Sequence, residues 1–241
     1  TLYSLVNRLN EPCNKIITIE DPIEYHVKNI SQTQVEPKKG YNFANGLRSI
    51  VRQDPDIILV GEIRDAETAE IALHAALTGH LVLSTIHTND ASGVVPRLVD
   101  LGIRPQIIAP AINLTLAQRL VRKLCPDCKK EAKTTPEELK KIKNILEPIK
   151  DRFKLPSFNS PIKIHGPDKC NKCNFSGYID RIGVFEAFIV SKDIERLILT
   201  SPAMSAVQEM AVAEGMITMI QDAYLKLLDG TTSIEEIERV L

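Results

Sequence analysis

Carboxylate side chains follow two apolar, β-branched runs of the chain, at the points where those runs end. The run at residues 57–60 is followed closely by Glu62, and the run at residues 15–19 is followed by three acids within five residues. Those three acids are Glu20, Asp21 and Glu24. A carboxylate there can hold the water shell of Mg²⁺ on a nucleotide or orient an attacking water, because phosphoryl transfer is chiefly positioning and charge neutralisation. The alternative for Glu62 is a structural acid at the start of the next helix.

Hydroxyl groups and an imidazole lie at the end of a third apolar run, residues 81–85. Ser84, Thr85 and His87 are suited to reading a terminal phosphate, although a single histidine at a strand end is more often structural. Three polar clusters at three strand ends favour the functional interpretation. The rival is a metal hydrolase with His80, His87 and the acids as ligands. The sequence has no His-x-x-x-His pair and no second close histidine to complete such a site.

Four of the five cysteines fall in two C-x-x-C pairs, Cys125 with Cys128 and Cys170 with Cys173. Two such pairs predict a closed tetrahedral Zn²⁺ site that holds structure and does no chemistry. The separation of the pairs exceeds the usual spacing, and disulfides or idle thiols are the alternatives. A reducing cytosol disfavours the disulfides. Cys13, which stands alone, is predicted to be a small buried side chain.

The elements that must position these groups alternate along the first part of the chain. The predicted strands are residues 15–19, 57–60 and 81–85, and the predicted helices between them are residues 43–52 and 66–77. This alternation predicts an α/β fold with a parallel sheet covered by helices on both faces. Ligands of such sheets bind beyond the carboxyl ends of the strands, where the polar clusters lie.

Helical patterns are predicted to dominate the remainder of the chain. We predict a helix from Gln106 to about Lys123, three or four short helices after residue 191, and a capping box at residues 233–236. The irregular stretch at residues 151–167, rich in proline and serine, is the predicted flexible loop.

The charge of the chain is balanced overall but unevenly distributed. Its 241 residues carry 30 Lys and Arg against 31 Asp and Glu, whereas residues 122–172 alone carry a net charge of +7. This basic stretch suits an acidic or phosphate-bearing partner, and a solvated lysine-rich helix is the alternative. Aromatic residues are too few for nucleic-acid binding to be predicted. The sequence has no bilayer-length apolar run and no signal-peptide pattern, which predicts a cytoplasmic protein.

These motifs, in this order, resemble the secretion and pilus-assembly ATPases that power type II secretion and type IV pilus extension. Residues 17–25 (ITIEDPIEY) resemble the family's Asp box, residues 52–65 (RQDPDIILVGEIRD) its Walker B motif, and residues 78–90 (TGHLVLSTIHTND) its His box. The likeness covers nearly the whole chain. The cysteine pairs resemble the zinc element of the secreting and extending branch, which the retraction motors lack. The resemblance therefore excludes retraction and leaves secretion and pilus extension both open.

The resemblance implies a RecA-like P-loop ATPase core followed by two smaller regions. The implied division is residues 1–121 for the core, residues 122–185 for the tetracysteine zinc-binding element and residues 186–241 for a helical C-terminal region. The intact protein is expected to hydrolyse ATP as a homo-hexamer in the cytoplasm. It would associate peripherally with the inner membrane, through a platform that adds pilin or pseudopilin subunits.

The resemblance also implies roles for individual residues. Glu62 would act on Mg²⁺, Glu24 would activate the attacking water with support from Glu20 and Asp21, and two histidines would sense the γ-phosphate of ATP. The histidines are His80 and His87. Three arginines beside the motifs are expected to approach a nucleotide of the same or a neighbouring subunit, and a structural pair with Asp54 or Asp56 is the alternative for each. The arginines are Arg48, Arg52 and Arg64.

One family motif is missing, because these residues contain no G-x-x-x-x-G-K-[ST] phosphate loop. Family members carry that loop just before a segment that resembles residues 1–5. The chain is therefore expected to begin just after its Walker A motif, without the first strand of the core, and to bind ATP poorly by itself. The rival interpretation is a non-catalytic interaction or oligomerisation module stabilised by zinc.

Overall fold

A computed structural model describes residues 1–200 and 203–241, which form two compact units. The first unit comprises Thr1–Thr115 and Ile189–Ala211, and the second comprises Leu116–Phe188 and Val212–Leu241. The predicted three-part functional division stays a prediction.

A four-stranded parallel sheet forms the centre of the first unit. Its strands are β1 (Ile16–Glu20), β2 (Ser31–Gln34), β3 (Ile57–Ile63) and β4 (Leu81–Ile86), in the order β2-β1-β3-β4. The three predicted strands and the parallel sheet are confirmed. Strand β2 was not predicted, because its sequence Ser-Gln-Thr-Gln carries no apolar signal.

Helices cover both faces of this sheet. On one face, helix α1 (Leu2–Leu9) packs through Val6 against a cluster that includes Ile57 and Leu59. On the other face lie the two predicted helices, α2 (Phe43–Val51) and α3 (Ala66–Leu77). Gly46 permits close packing of α2 on the sheet, because a Cβ there would meet the side chain of Ile19.

Among the remaining helices of the first unit, one differs from its prediction. They are α4 (Val94–Asp100), α5 (Pro105–Ala111), α7 (Lys192–Thr200) and most of α8 (Met204–Ala213). The predicted helix at residues 106–123 is wrong, since α5 ends at Ala111 and strand β5 (Leu114–Leu124) follows. Pro110 offers no N–H to the helix, and Ile112 is extended, with φ −94° and ψ 120°.

The second unit combines short strands with helices. Helices still outnumber strands among the described residues after position 93, but four strands in this part of the chain were not predicted. Most of β5 pairs with most of β8 (Tyr178–Ile189), and β6 (Lys130–Lys133) pairs antiparallel with β7 (Lys163–Gly166). Strand β7 occupies the end of the predicted loop at residues 151–167. The helices are α6 (Pro136–Leu146), α9 (Met219–Leu228) and α10 (Ile234–Val240). Among the described residues, α7 to α10 confirm the short helices predicted after residue 191.

A buried carboxylate ties the last helix to β5 within the second unit. The side chain of Glu236 accepts hydrogen bonds from Arg122 and Arg239, and the Arg122 guanidinium also lies 4.1 Å from the centre of the Tyr178 ring. The predicted capping box is confirmed in part: the Ser233 hydroxyl accepts the Glu236 N–H, but the Glu236 carboxylate binds the arginines. Burial opposes ionisation of Glu236, yet these hydrogen bonds lower its pKa to about 2.

None of the helices in the described part of the chain combines the length and the apolar character that crossing a membrane requires.

Candidate functional site

The carboxyl ends of β1, β3 and β4 bring the predicted polar clusters to one edge of the sheet. Because the strands are parallel and adjacent, Glu20 ends β1, Glu62 lies near the end of β3, and His87 directly follows β4. Nε2 of His87 lies 3.2 Å from Oε2 of Glu62, so two of the predicted clusters meet at this edge.

An irregularity in β3 sets the direction of the Glu62 side chain. The register with β4 shifts between Val60 and Ile63, and such a bulge re-aims the side chains that it contains. The Thr85 hydroxyl donates to the Gly61 carbonyl at 2.8 Å and ties β4 to the bulge. A Cβ at Gly61 would lie only 3.3 Å from backbone atoms of β1, so glycine lets β3 approach that strand closely here.

Glu62 lies between two exposed side chains that can donate hydrogen bonds. Arg64 Nη2 lies 2.5 Å from one carboxylate oxygen of Glu62, and His87 lies beside the other. The Glu62 side chain is 14% exposed, against 61% for Arg64 and 82% for His87. The hydrogen bond from Arg64 is the main cause that lowers the pKa of Glu62; burial opposes it and His87 assists it. Arg64 and His87 can therefore leave the Glu62 carboxylate and donate instead to an oxyanion that arrives at this edge.

Glu20 is buried, and its carboxylate accepts hydrogen bonds from three side chains of the first unit. The donors are the Tyr3 hydroxyl, the Thr18 hydroxyl at 2.5 Å and the Gln32 amide at 3.1 Å. Asp21 and Glu24, by contrast, are exposed. Glu20 is therefore an anchor of this segment, and Asp21 and Glu24 are the acids that a ligand can reach.

Sequence reasoning did not identify Tyr3, Thr18 or Gln32 as parts of this site. Tyr3 and Gln32 come from other elements and reach Glu20 only through the tertiary fold. Thr18 offered one local signal, because it lies two residues before Glu20 and so on the same face of β1. Burial, followed by the bond to Glu20, raises the pKa of Tyr3 to about 12. The phenol is therefore protonated at neutral pH and can donate.

The structure does not bring His80 to this edge. His80 precedes the first residue of β4, whereas His87 follows the last, which separates them by about 20 Å at the usual rise of a strand. The His80 ring instead lies at the turn between α3 and β4, with Nδ1 3.0 Å from the Ala75 carbonyl oxygen.

Two of the predicted arginines lie on the helical face of the first unit. Arg48 and Arg52 line a groove of about 410 Å³ between α2 and α3, and Arg48 pairs with Glu67 at 2.5 Å. The alternative pairing of these arginines with the two aspartates before β3 is not found among the described residues. One of those acids, Asp56, accepts the backbone N–H of Lys15 instead, at 2.7 Å.

The four paired cysteines converge within the second unit, and their ligand atoms all lie within 4.8 Å of one another. The sulfur–sulfur distances are 3.8 Å for Cys125 to Cys170, 3.8 Å for Cys128 to Cys173 and 3.6 Å for Cys170 to Cys173. A tetrahedral ion with metal–sulfur distances of about 2.3 Å requires edges of about 3.8 Å. The donor set therefore fits one metal ion. Cys13 is exposed and outside this cluster, so the prediction that it is buried is wrong.

The surroundings of the cluster favour a thiolate at Cys173, whereas burial and the three neighbouring cysteines raise the pKa of Cys128. The backbone N–H of Gly177 donates to the Cys173 sulfur at 3.2 Å. Burial opposes ionisation of Cys173, but backbone hydrogen bonds at Cys170 and Gly177 lower its pKa to about 6. Ion pairs between Lys172 and Asp127 and between Lys130 and Asp168 connect the two chain segments that carry the cysteine pairs.

Comparison with known proteins gives the same family for the whole chain. A family model described as "Type II/IV secretion system protein" matches residues 1–239. The chain is 44% identical over 240 residues to the "Type II secretion system ATPase E" of Vibrio cholerae, covering 100% of this chain and 45% of that protein. It is 41% identical over 237 residues to the "Type IV pilus assembly ATPase PilB" of Myxococcus xanthus, covering 98% of this chain and 40% of that protein.

Solved structures agree with this similarity. The structure titled "Crystal Structure of the Pilus Retraction Motor PilT and Bound ADP" matches with a TM-score of 0.67 and 28% identity, covering 99% of this chain and 56% of that chain. The present chain thus spans about half the length of the relatives that it matches.

Proposed function

Because the chain belongs to the type II/IV secretion system protein family, we propose that it forms the catalytic part of an ATP-hydrolysing motor for type II secretion or type IV pilus assembly. The observation that carries the proposal is the group of Glu62, Arg64 and His87 at the carboxyl edge of a parallel sheet, where α/β folds bind ligands.

The residues at this edge can divide the work of phosphoryl transfer. We propose that Glu62, ionised because of Arg64, holds the hydration shell of Mg²⁺, and that exposed Asp21 adds a second acidic group. Oxygen ligands of this kind suit Mg²⁺. When bound, the ion would neutralise charge on the phosphate oxygens. Arg64 and His87 would turn from Glu62 toward the γ-phosphate, and Glu24 would activate the attacking water with Glu20 as its buried support.

The residues away from this edge receive a different proposal. Arg52 and His80 do not lie beside Glu62, so we propose that any nucleotide they contact belongs to a neighbouring subunit of a homo-hexamer. Arg48, on the same helical groove as Arg52, would act in the same way.

We propose that the cysteine cluster holds Zn²⁺ as a structural ion in the second unit. By the resemblance described above, such a zinc element distinguishes secretion and pilus-extension motors from retraction motors. The whole motor would work in the cytoplasm against an inner-membrane platform, and the basic stretch at residues 122–172 is the candidate contact for acidic machinery.

The test is Mg²⁺-dependent ATP hydrolysis, measured on the 241-residue chain and on the natural gene product that contains it. We expect hydrolysis by the gene product and little by the chain, since these residues contain no phosphate-loop motif. Glu62→Gln in the gene product should abolish turnover, and Glu209→Gln, which changes an exposed glutamate on α8, is the matched control. Unchanged turnover by the Glu62 variant would refute the site.

A second candidate function is a non-catalytic interaction module stabilised by zinc. The four-thiol cluster favours it. A folded gene product that binds zinc and hydrolyses no ATP would establish this candidate in place of the motor.

A further inference from the structure

Tyr3 connects helix α1 to both ends of the acidic segment at residues 20–24. Its hydroxyl donates to Oε2 of Glu20 and accepts the backbone N–H of Glu24 at 3.3 Å. Its ring stacks on Tyr25, with centroids 4.3 Å apart and an angle of 29° between the planes. Three contacts from one side chain thus fix the beginning and the end of the segment.

The two ends of the segment differ in what they can do. Glu20 is 4% exposed, and its oxygens accept hydrogen bonds from Thr18 and Gln32 as well as from Tyr3. Its carboxylate is an anchor. Glu24 is exposed, and its side chain accepts no hydrogen bond that would hold it in place among the described residues. The position of Glu24 therefore depends on its backbone, which Tyr3 holds.

We propose that Tyr3 is a positioning residue that places the Glu24 carboxylate for the reaction. This inference rests on the function proposed above, in which Glu24 activates the attacking water. A displacement of about 1 Å in a catalytic group can cost roughly a hundredfold in rate. The Tyr3 hydroxyl bonds to both ends of the segment from residue 20 to residue 24, and so it can hold Glu24 in position to this accuracy.

The chain offers a matched pair of variants for the test. Tyr3→Phe removes the bridging hydroxyl and keeps the stacked ring. Tyr25→Phe removes a hydroxyl from the other ring of the same stack, and that hydroxyl makes no hydrogen bond within residues 1–200 and 203–241. Both variants are made in the natural gene product, and wild type and Glu62→Gln set the upper and lower limits of turnover.

Two readouts separate positioning from general stability. Hydrogen exchange of the Glu24 amide, which donates to the Tyr3 hydroxyl, should quicken at least tenfold in Tyr3→Phe and remain unchanged in Tyr25→Phe. In Tyr3→Phe, kcat should fall at least tenfold while KM changes less than twofold, because the nucleotide contacts remain. In a Glu24→Gln background, Tyr3→Phe should cause no further fall, since the two residues act through one path.

Each alternative result overturns the inference in a distinct way. Unchanged exchange in Tyr3→Phe would show that the hydroxyl does not hold the segment. Faster exchange with unchanged kcat, or a full additional loss in the Glu24→Gln background, would reduce Tyr3 to a stabilising residue. An inactive wild-type gene product would refute the proposed function itself, and the positioning role with it, whereas normal wild-type turnover isolates a failure to Tyr3 alone.

Discussion

The edge of the parallel sheet and the cysteine cluster both collect side chains from distant parts of the chain, yet they are built in opposite ways. At the sheet edge a mostly buried acceptor, Glu62, lies under two exposed donors. In the cluster four identical soft ligands face one another at the edge lengths of a single tetrahedron. Open groups of mixed charge suit a ligand that comes and goes, whereas a closed set of thiols suits a resident ion.

The largest predicted effect concerns the cysteine cluster. Cys173→Ser should abolish binding of the proposed zinc ion and the cooperative unfolding of the second unit, because structural zinc sites contribute about 10 kcal/mol or more of folding free energy. Metal content and urea unfolding measure both effects. Exposed Cys13→Ser is the control and should change neither. A Cys173→Ser protein that keeps its metal and its unfolding midpoint would contradict the structural role.

A smaller effect is expected at the edge of the parallel sheet. Arg64→Gln should lower kcat for ATP hydrolysis roughly a hundredfold, as loss of a charge-stabilising donor does. Arg64 lowers the pKa of Glu62, so its loss raises that pKa toward the ordinary value. Glu62 is then ionised over a narrower range of pH, and the acid limb of the pH–rate profile should move to higher pH.

The control for this prediction is Arg97→Gln, which removes an exposed arginine of α4. It should leave both kcat and the acid limb unchanged. An acid limb that stays in place in Arg64→Gln would show that ionisation of Glu62 does not set it.

The third prediction tests whether the second unit depends on charge as well as on its metal. Glu236 has a pKa of about 2 against an ordinary 4.5. Its contribution to the free energy of unfolding is therefore complete above pH 4.5 and is lost as the pH falls toward 2, with a size of about 3 kcal/mol. Glu236→Gln should remove about this much stability at pH 7 and flatten the acid dependence, in urea unfolding from pH 7 to pH 3.

Exposed Glu235→Gln, one residue away on the same helix, should retain the wild-type acid dependence. Equal slopes for the Glu236 variant and for wild type would mean that the two arginine bonds contribute no net stability.

The sequence predicted the first unit better than the second for a physical reason. Strands β1 and β3 are buried between helices, and the outer strand β4 is only partly buried. All three are apolar runs, so local sequence was sufficient. Polar β2 lies beside β1, and its pairing depends on the fold rather than on its own residues. Strand β5 carries apolar residues at spacings that also suit a helix, and its distant partner β8 decides the outcome.

The site shows the same division between local and distant information. The meeting of Glu62 and His87 followed from parallel strands that end at one edge. The sequence motif that joins His80 to His87 spans a whole strand, so it could not reveal that the two rings lie at opposite ends. Tyr3 lies 17 positions from Glu20 in sequence, and their contact depends on how α1 packs.

The smallest predicted effect concerns Asp65, the acid that ends the Glu62 motif. Its side chain accepts the Thr68 N–H at 2.8 Å and caps α3, which is the structural role that Glu62 had as its alternative. Asp65→Ala should cost about 1 kcal/mol of unfolding free energy, whereas Asp65→Asn, which keeps the acceptor, should cost much less. Neither should move the acid limb of hydrolysis, because the carboxylate serves the helix. A shift of that limb in Asp65→Asn at unchanged stability would place Asp65 with Glu62 among the reactive acids.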